Sequence, residues 1–121
     1  MIVSYLKYRR KAQGKYHLHS PLVYDLYEKV LEPCRDASHA SAVSYASLDE
    51  RLKAFVNDNP LIFKNDDVVM IVKNIHRNRQ NEEDWERLRA DEKVRLSIDC
   101  WRFGMIFIMD RIKKEHYILK V

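Results

Sequence analysis

Glycine occurs at only two positions in the chain, Gly14 and Gly104, so there is no glycine-rich turn of the kind that lets backbone N–H groups close on a phosphate-bearing ligand. That bounds function before any secondary structure is assigned. A nucleotide-type cofactor has no cradle here, and the expectation is a chain that binds no cofactor and no metal and has no catalytic residues of its own.

The length of 121 residues predicts a single domain, 1–121, of a size that buries about two thirds of its unfolded surface. Apolar residues at 46% and charged residues at 33% favour a globular chain over a disordered one. No apolar run approaches the roughly 18 residues of a membrane-spanning helix, so no membrane partner is expected. Near the N-terminus Ile2 and Val3 belong to no apolar core of about 7 or more residues before the basic Lys7, Arg9, Arg10 and Lys11, which is not the pattern of a secretory signal. Cys34 and Cys100 have no metal-like spacing and are expected as free thiols of a cytoplasmic protein. The net charge of +4 is uneven: residues 1–20 carry Lys7, Arg9, Arg10, Lys11 and Lys15 and no acid, whereas 81–92 carry six acids against Arg87 and Arg89. Such asymmetry favours self-association or anionic partners.

Along the chain, 1–33 is expected to be helical, 34–66 a connection and a helix, and 67–121 a β-α-β-β segment. Ile2 to Ala12 predicts a short cationic helix stopped by Gly14. Ser20-Pro21 predicts an N-cap and first helical residue, with Leu22, Val23, Leu26, Tyr27, Val30 and Leu31 at helical spacing and Pro33 closing the helix. Ser47 and Glu50 have capping-box spacing ahead of a helix that ends between Asn57 and Pro60. The run Val68-Val69-Met70-Ile71-Val72 predicts a strand buried on both faces inside a sheet. Asn81 is expected to cap a helix through Ala90 that turns Trp85 and Leu88 inward, followed by strands over 94–99, 103–109 and 116–121. The fold class is therefore α/β, with N-terminal helices and a small mixed sheet of three to four strands.

Two blocks carry a resemblance. YLKYRRKAQGKYHLHSPLVYDLYEKV, residues 5–30, resembles the N-terminal signature of a group of class I S-adenosylmethionine-dependent methyltransferases, in which a basic helix precedes an H-x-HSPFVY-type run; Leu22 stands where Phe is usual. DVVMIVKNIH, EEDWERL and KVRLSIDCWRFGMIFI followed by KKEHYILKV resemble the C-terminal end of the same proteins: strand, Ile-His loop, acidic helix with a Trp, closing hairpin. The resemblance implies the C-terminal part of a Rossmann-like fold. Only residues 34 to 66 separate the blocks, too few for the missing strands and helices at roughly 30 residues per βαβ unit. Lys73-Asn74 also replaces the acidic residues that the family pattern places after the strand. The resemblance thus implies a remnant whose S-adenosylmethionine binding has been lost.

Candidate sites are few. His17 and His19, with Cys34 and His39, lack structural-zinc spacing and suit a turn that orders the second helix, with an interaction role as the alternative. His76 and Arg77 fall just past the end of a strand, where α/β proteins place ligands, and are candidates for a residual anion or small-molecule site; a solvated loop is the alternative. Cys100, His76 and Asp99 would make a nucleophile and base only if the fold joined them. The basic N-terminal segment with Tyr5, Tyr8 and Tyr16 could meet nucleic acid, although no nucleic-acid-binding fold accompanies it. Val68, Val69, Met70, Ile71 and Val72 form a candidate oligomer edge, because loss of earlier strands would leave that strand without a neighbour. The expected role is association, with a second copy or a full-length methyltransferase relative. The alternatives are one half of a two-chain methyltransferase and a small basic nucleic-acid-binding module.

Overall fold

The computed structural model describes Tyr8, Lys11 and residues 20–34, 45–110 and 112–119. The described residues fall into two compact units, those of Met1–Gln13 with Asp66–Lys120 and those of Gly14–Asn65. Helices and a four-stranded mixed sheet make the fold α/β. No helix among the described residues is long and apolar enough to cross a membrane.

The unit of Gly14–Asn65 is helical. Ser20 caps α1 (Pro21–Leu26): its Oγ accepts the Val23 N–H at 3.3 Å, and Pro21 occupies the first turn, where its missing N–H leaves no bond unmade. The chain continues through a π-helical turn, Tyr27–Leu31, into a 3-10 turn, Glu32–Cys34, that contains Pro33. Val23, Leu26, Tyr27, Val30 and Leu31 are all buried, as their three- and four-residue spacing requires. α2 (Tyr45–Asn57) packs against the π-helical turn and buries Leu48, Leu52 and Phe55. The capping-box expectation is corrected here: Ser47 and Glu50 lie within α2, which already runs from Tyr45, so Ser47 cannot be its N-cap. At the other end Asn59 donates to the Phe55 carbonyl at 2.7 Å, and Phe63 meets the Phe55 ring edge-on.

The second unit holds β1 (Val68–Lys73), α3 (Arg79–Arg89), β2 (Val94–Asp99), β3 (Phe103–Ile108) and β4 (Glu115–Ile118). The strands lie in the order β1-β3-β2-β4, with β3 antiparallel to both neighbours and β4 parallel to β2. β1 and β2 therefore run the same way with β3 between them, and their carboxyl ends meet at one edge of the sheet. Gly104, Ile106 and Ile108 of β3 share a face with their partners Val72, Met70 and Val68 of β1. On this face α3 sets Trp85 and Leu88 against Val72, Ile75, Val94, Ile106 and Ile108. Leu96, Ile98, Phe103, Met105 and Phe107 alternate onto the opposite face and are buried.

Gly104 owes its identity to close packing. A Cβ built there would lie 2.3 Å from Cη2 of Trp85, so the indole rests directly on the backbone of β3.

Two expectations about this unit are corrected. β1 is an edge strand: among the described residues it has only β3 beside it, and every one of its residues is exposed or half-buried. Val68 and Met70 are 42% and 38% exposed because α3 covers this face at Val72 but not at the start of the strand. An unbroken apolar run does not distinguish this position from a central one. The N-cap of α3 is Asn78, whose side chain accepts the Asn81 N–H at 2.8 Å; Asn81 stands inside the helix and donates its own amide to the Asn74 carbonyl.

Candidate functional site

The chemistry-bearing side chains of the sheet unit collect where β1 and β2 end. Past β1, Asn74 takes a positive φ of 58°, which asparagine tolerates better than most residues, and its N–H is held by the Arg102 carbonyl at 2.7 Å. This turn brings Ile75 inward and His76 over the end of β2. His76 Nε2 lies 2.6 Å from Asp99 Oδ2, and its Nδ1 lies 2.8 Å from Glu82 Oε2 in the first turn of α3. A neutral imidazole has one N–H, and its bare nitrogen would face a carboxylate oxygen, so the geometry demands the imidazolium. Burial works against that charge, but the hydrogen bonds and charges of Asp99 and Glu82 outweigh it and hold the His76 pKa above the usual histidine range.

The other oxygen of Asp99 accepts the Trp101 N–H at 2.8 Å. Trp101 occupies the tight connection between β2 and β3 with φ of 70°, while the Arg102 N–H bonds the Cys100 carbonyl across it, a γ-turn of the uncommon positive-φ form. This conformation lays the indole flat on His76, with ring centroids 4.5 Å apart and planes 14° off parallel, the arrangement that favours a cation over a π-face. Tyr8 packs against Trp101, with centroids 5.3 Å apart and planes inclined by 40°, and donates its hydroxyl to the Leu119 carbonyl. Leu119 in turn donates its N–H to the Asp99 carbonyl. The result is a closed circuit: Asp99 holds His76 and Trp101, and Tyr8 ties Trp101 to the end of β4.

The cluster has little capacity for reaction. Both His76 nitrogens are engaged. Cys100 next door is buried, and burial, with the charge of Asp99 added, pushes its thiol pKa well up, so it stays an unreactive thiol. The nucleophile-and-base arrangement is not formed; His76 reaches Asp99 instead. The carboxylates of Glu82 and Asp99 meet opposite nitrogens of one ring and do not converge, and no group of three or more His, Cys, Asp or Glu among the described residues is placed to hold a metal ion.

Of the sequence-predicted residues, His76 is thus central to the cluster, whereas Arg77 is exposed beside it and has no part in it. The anion-site expectation finds no free N–H on His76. His17, His19 and His39 lie outside the described residues, as do Lys7, Arg9, Arg10 and Lys15 of the basic segment; Lys11 is described and exposed. Val68 to Val72 lie on β1, which among the described residues is an edge strand of the sheet. The sequence marks neither Glu82 nor Trp101 as a site residue, and marks Tyr8 only as part of the basic N-terminal segment. Glu82 follows His76 by six residues in an acid-rich stretch, and no local spacing marks which acid turns back to the ring.

A second polar pair lies further along. His116 Nδ1 meets the buried Ser97 hydroxyl at 2.6 Å across the parallel β2–β4 pair. Burial, reinforced by the charge of Arg89, lowers the His116 pKa, so this histidine is the neutral counterpart of His76.

No protein-family model matches the chain, and neither a curated protein nor a solved structure matches it.

Proposed function

We propose that the chain is a non-catalytic association module of methyltransferase-like descent, acting in the cytoplasm through pairing of its open sheet edge with a second copy or with a full-length relative. The observation that carries this reading is β1: a five-residue apolar run at the edge of the sheet, with Val68 and Met70 exposed on one face. Long, flat, apolar edges invite strand addition, and proteins normally blunt them with charge, proline or a bulge. β1 has none of these between Val68 and Val72. The charge-locked His76 and the unreactive Cys100 support the absence of catalysis. The order strand, helix, hairpin in residues 68–108 is the order that the resemblance implies.

Sedimentation velocity at tens of micromolar tests the reading. The chain is expected to sediment as a dimer or larger species, and Val68→Lys or Met70→Lys to shift it to monomer with its circular dichroism spectrum unchanged. A folded wild-type monomer overturns self-association. If the chain then binds a full-length relative, the heterologous form of the reading holds. Uptake of S-adenosylmethionine by the isolated chain, followed by calorimetry, would instead favour an enzyme half, since no glycine-rich turn predicts such binding.

A further inference from the structure

Resting on the association reading, we infer that the occupant of the β1 edge is the β1 strand of a second copy, antiparallel and centred on Met70. Val68 then faces Val72 of the other copy, Val69 faces Ile71, and Asp67 faces Lys73.

Three features of the sheet select this register. The first is hydrogen-bond direction. Asn74 bonds inward to Arg102, one step beyond the Val72–Gly104 pair, so by the two-residue alternation Met70 and Val72 also direct their backbone groups to β3. Val69 and Ile71 direct theirs to the open edge and can exchange both bonds with each other across a two-fold axis. The second is the face. Directly opposed residues in a sheet lie on the same side, so an axis through Met70 puts α3 of both copies on one side. It also gathers the exposed Val68 and Met70 side chains of both copies into one patch. An axis between Met70 and a neighbour would put the two α3 helices on opposite sides and leave those side chains uncovered.

The third is charge. The strand is acidic at its start and basic at its end, Asp67 and Lys73, and only the Met70-centred register brings these opposite one another. Moving the axis by one residue either way, to Val69 or to Ile71, places Asp67 against Ile71 or Lys73 against Val69. A closed two-fold pairing uses the same edge on both copies and leaves no β1 edge for a third.

Cysteine cross-linking tests the register, in a Cys34→Ser background that keeps the buried Cys100. Met70 would sit in a non-hydrogen-bonded pair, where Cα atoms approach to about 4.5 Å, within disulfide range. Met70→Cys is expected to run almost wholly as a covalent dimer after mild oxidation. Val68→Cys should not link to itself, but should link to a size-tagged Val72→Cys chain. As a non-covalent check, Lys73→Glu and Asp67→Lys should each weaken the dimer severalfold, and the double reversal should restore it. If the wild type is a dimer but Met70→Cys stays unlinked, or Val68→Cys links to itself, the register is wrong while association stands. If the wild type is a folded monomer, both fall.

Discussion

His76 Nε2 and Asp99 Oδ2 are 2.6 Å apart, joining the turn after β1 to the last residue of β2 through a charge that Glu82 also holds from the opposite nitrogen. Because the folded state raises the His76 pKa, its contribution to stability is complete below the unfolded-state value of about 6.5 and is lost as pH rises through the higher folded value. The melting temperature of wild type is therefore expected to decline as pH rises above about 6.5, and His76→Gln to remove that part of the decline. His116 has the opposite sign: its lowered pKa gives a contribution present above about 6.5 and lost as pH falls. His116→Asn should flatten only the acid side. Thermal melts of the three proteins below and above that value check both, and parallel curves would remove the assignment.

The contact between Trp85 and Gly104 predicts a severe response to one methyl group. Gly104→Ala places a carbon 2.3 Å from a buried, rigid indole, so the ring or the strand must move, at a cost of about 2 kcal/mol or more. Trp85→Phe removes the outer ring atoms that a Cβ would meet. In that background Gly104→Ala should cost about 1 kcal/mol less, and denaturant unfolding of the four proteins gives the coupling.

How far the sequence foretold this arrangement depends on the range of the interactions. Ser20-Pro21, the buried stripe from Val23 to Leu31 and the inward Trp85 follow from capping and period, which are local. The order of strand, helix and hairpin was legible for the same reason. The exposure of β1 was not, since the apolar run Val68–Val72 has the same pattern whether its faces are fully or only half covered. Nor was the His76 cluster, because Asp99 is 23 positions away and meets His76 only once β3 separates the two parallel strands. Gly104, which the sequence offers only as one of two glycines, is the floor beneath Trp85.

Lys114 makes a cap that no local pattern announces. Its ammonium donates to the carbonyls of Arg89, Asp91 and Val94 at 2.9, 2.8 and 2.8 Å, closing the C-terminal end of α3 and the turn into β2. A cation at this end of a helix also meets the negative end of its dipole. Lys114→Met keeps most of the stem and removes all three bonds. Discounted for its exposure, the expected loss is about 1 kcal/mol. The exposed neighbour Lys113 serves as the control, and equal effects of Lys113→Met and Lys114→Met in chemical denaturation would discard the cap.

Trp101 offers a test that separates backbone strain from stacking. Its φ of 70° is one that a bulky side chain rarely adopts and glycine adopts freely, so the turn stores strain that its contacts with His76, Tyr8 and Asp99 must offset. Both Trp101→Ala and Trp101→Gly lose the ring and its stacking. They differ in the backbone: alanine retains the strain and glycine relieves it. The glycine variant is therefore expected to be the more stable of the two by about 1 kcal/mol, the reverse of the usual order, in which glycine is penalised for its freedom in the unfolded chain. Both should also weaken the alkaline decline assigned to His76, since the cation loses the π-face that covers it. Equilibrium unfolding of the two variants decides the matter: alanine equal to or above glycine would mean that the turn relaxes without strain, and that stacking alone sets the position of Trp101.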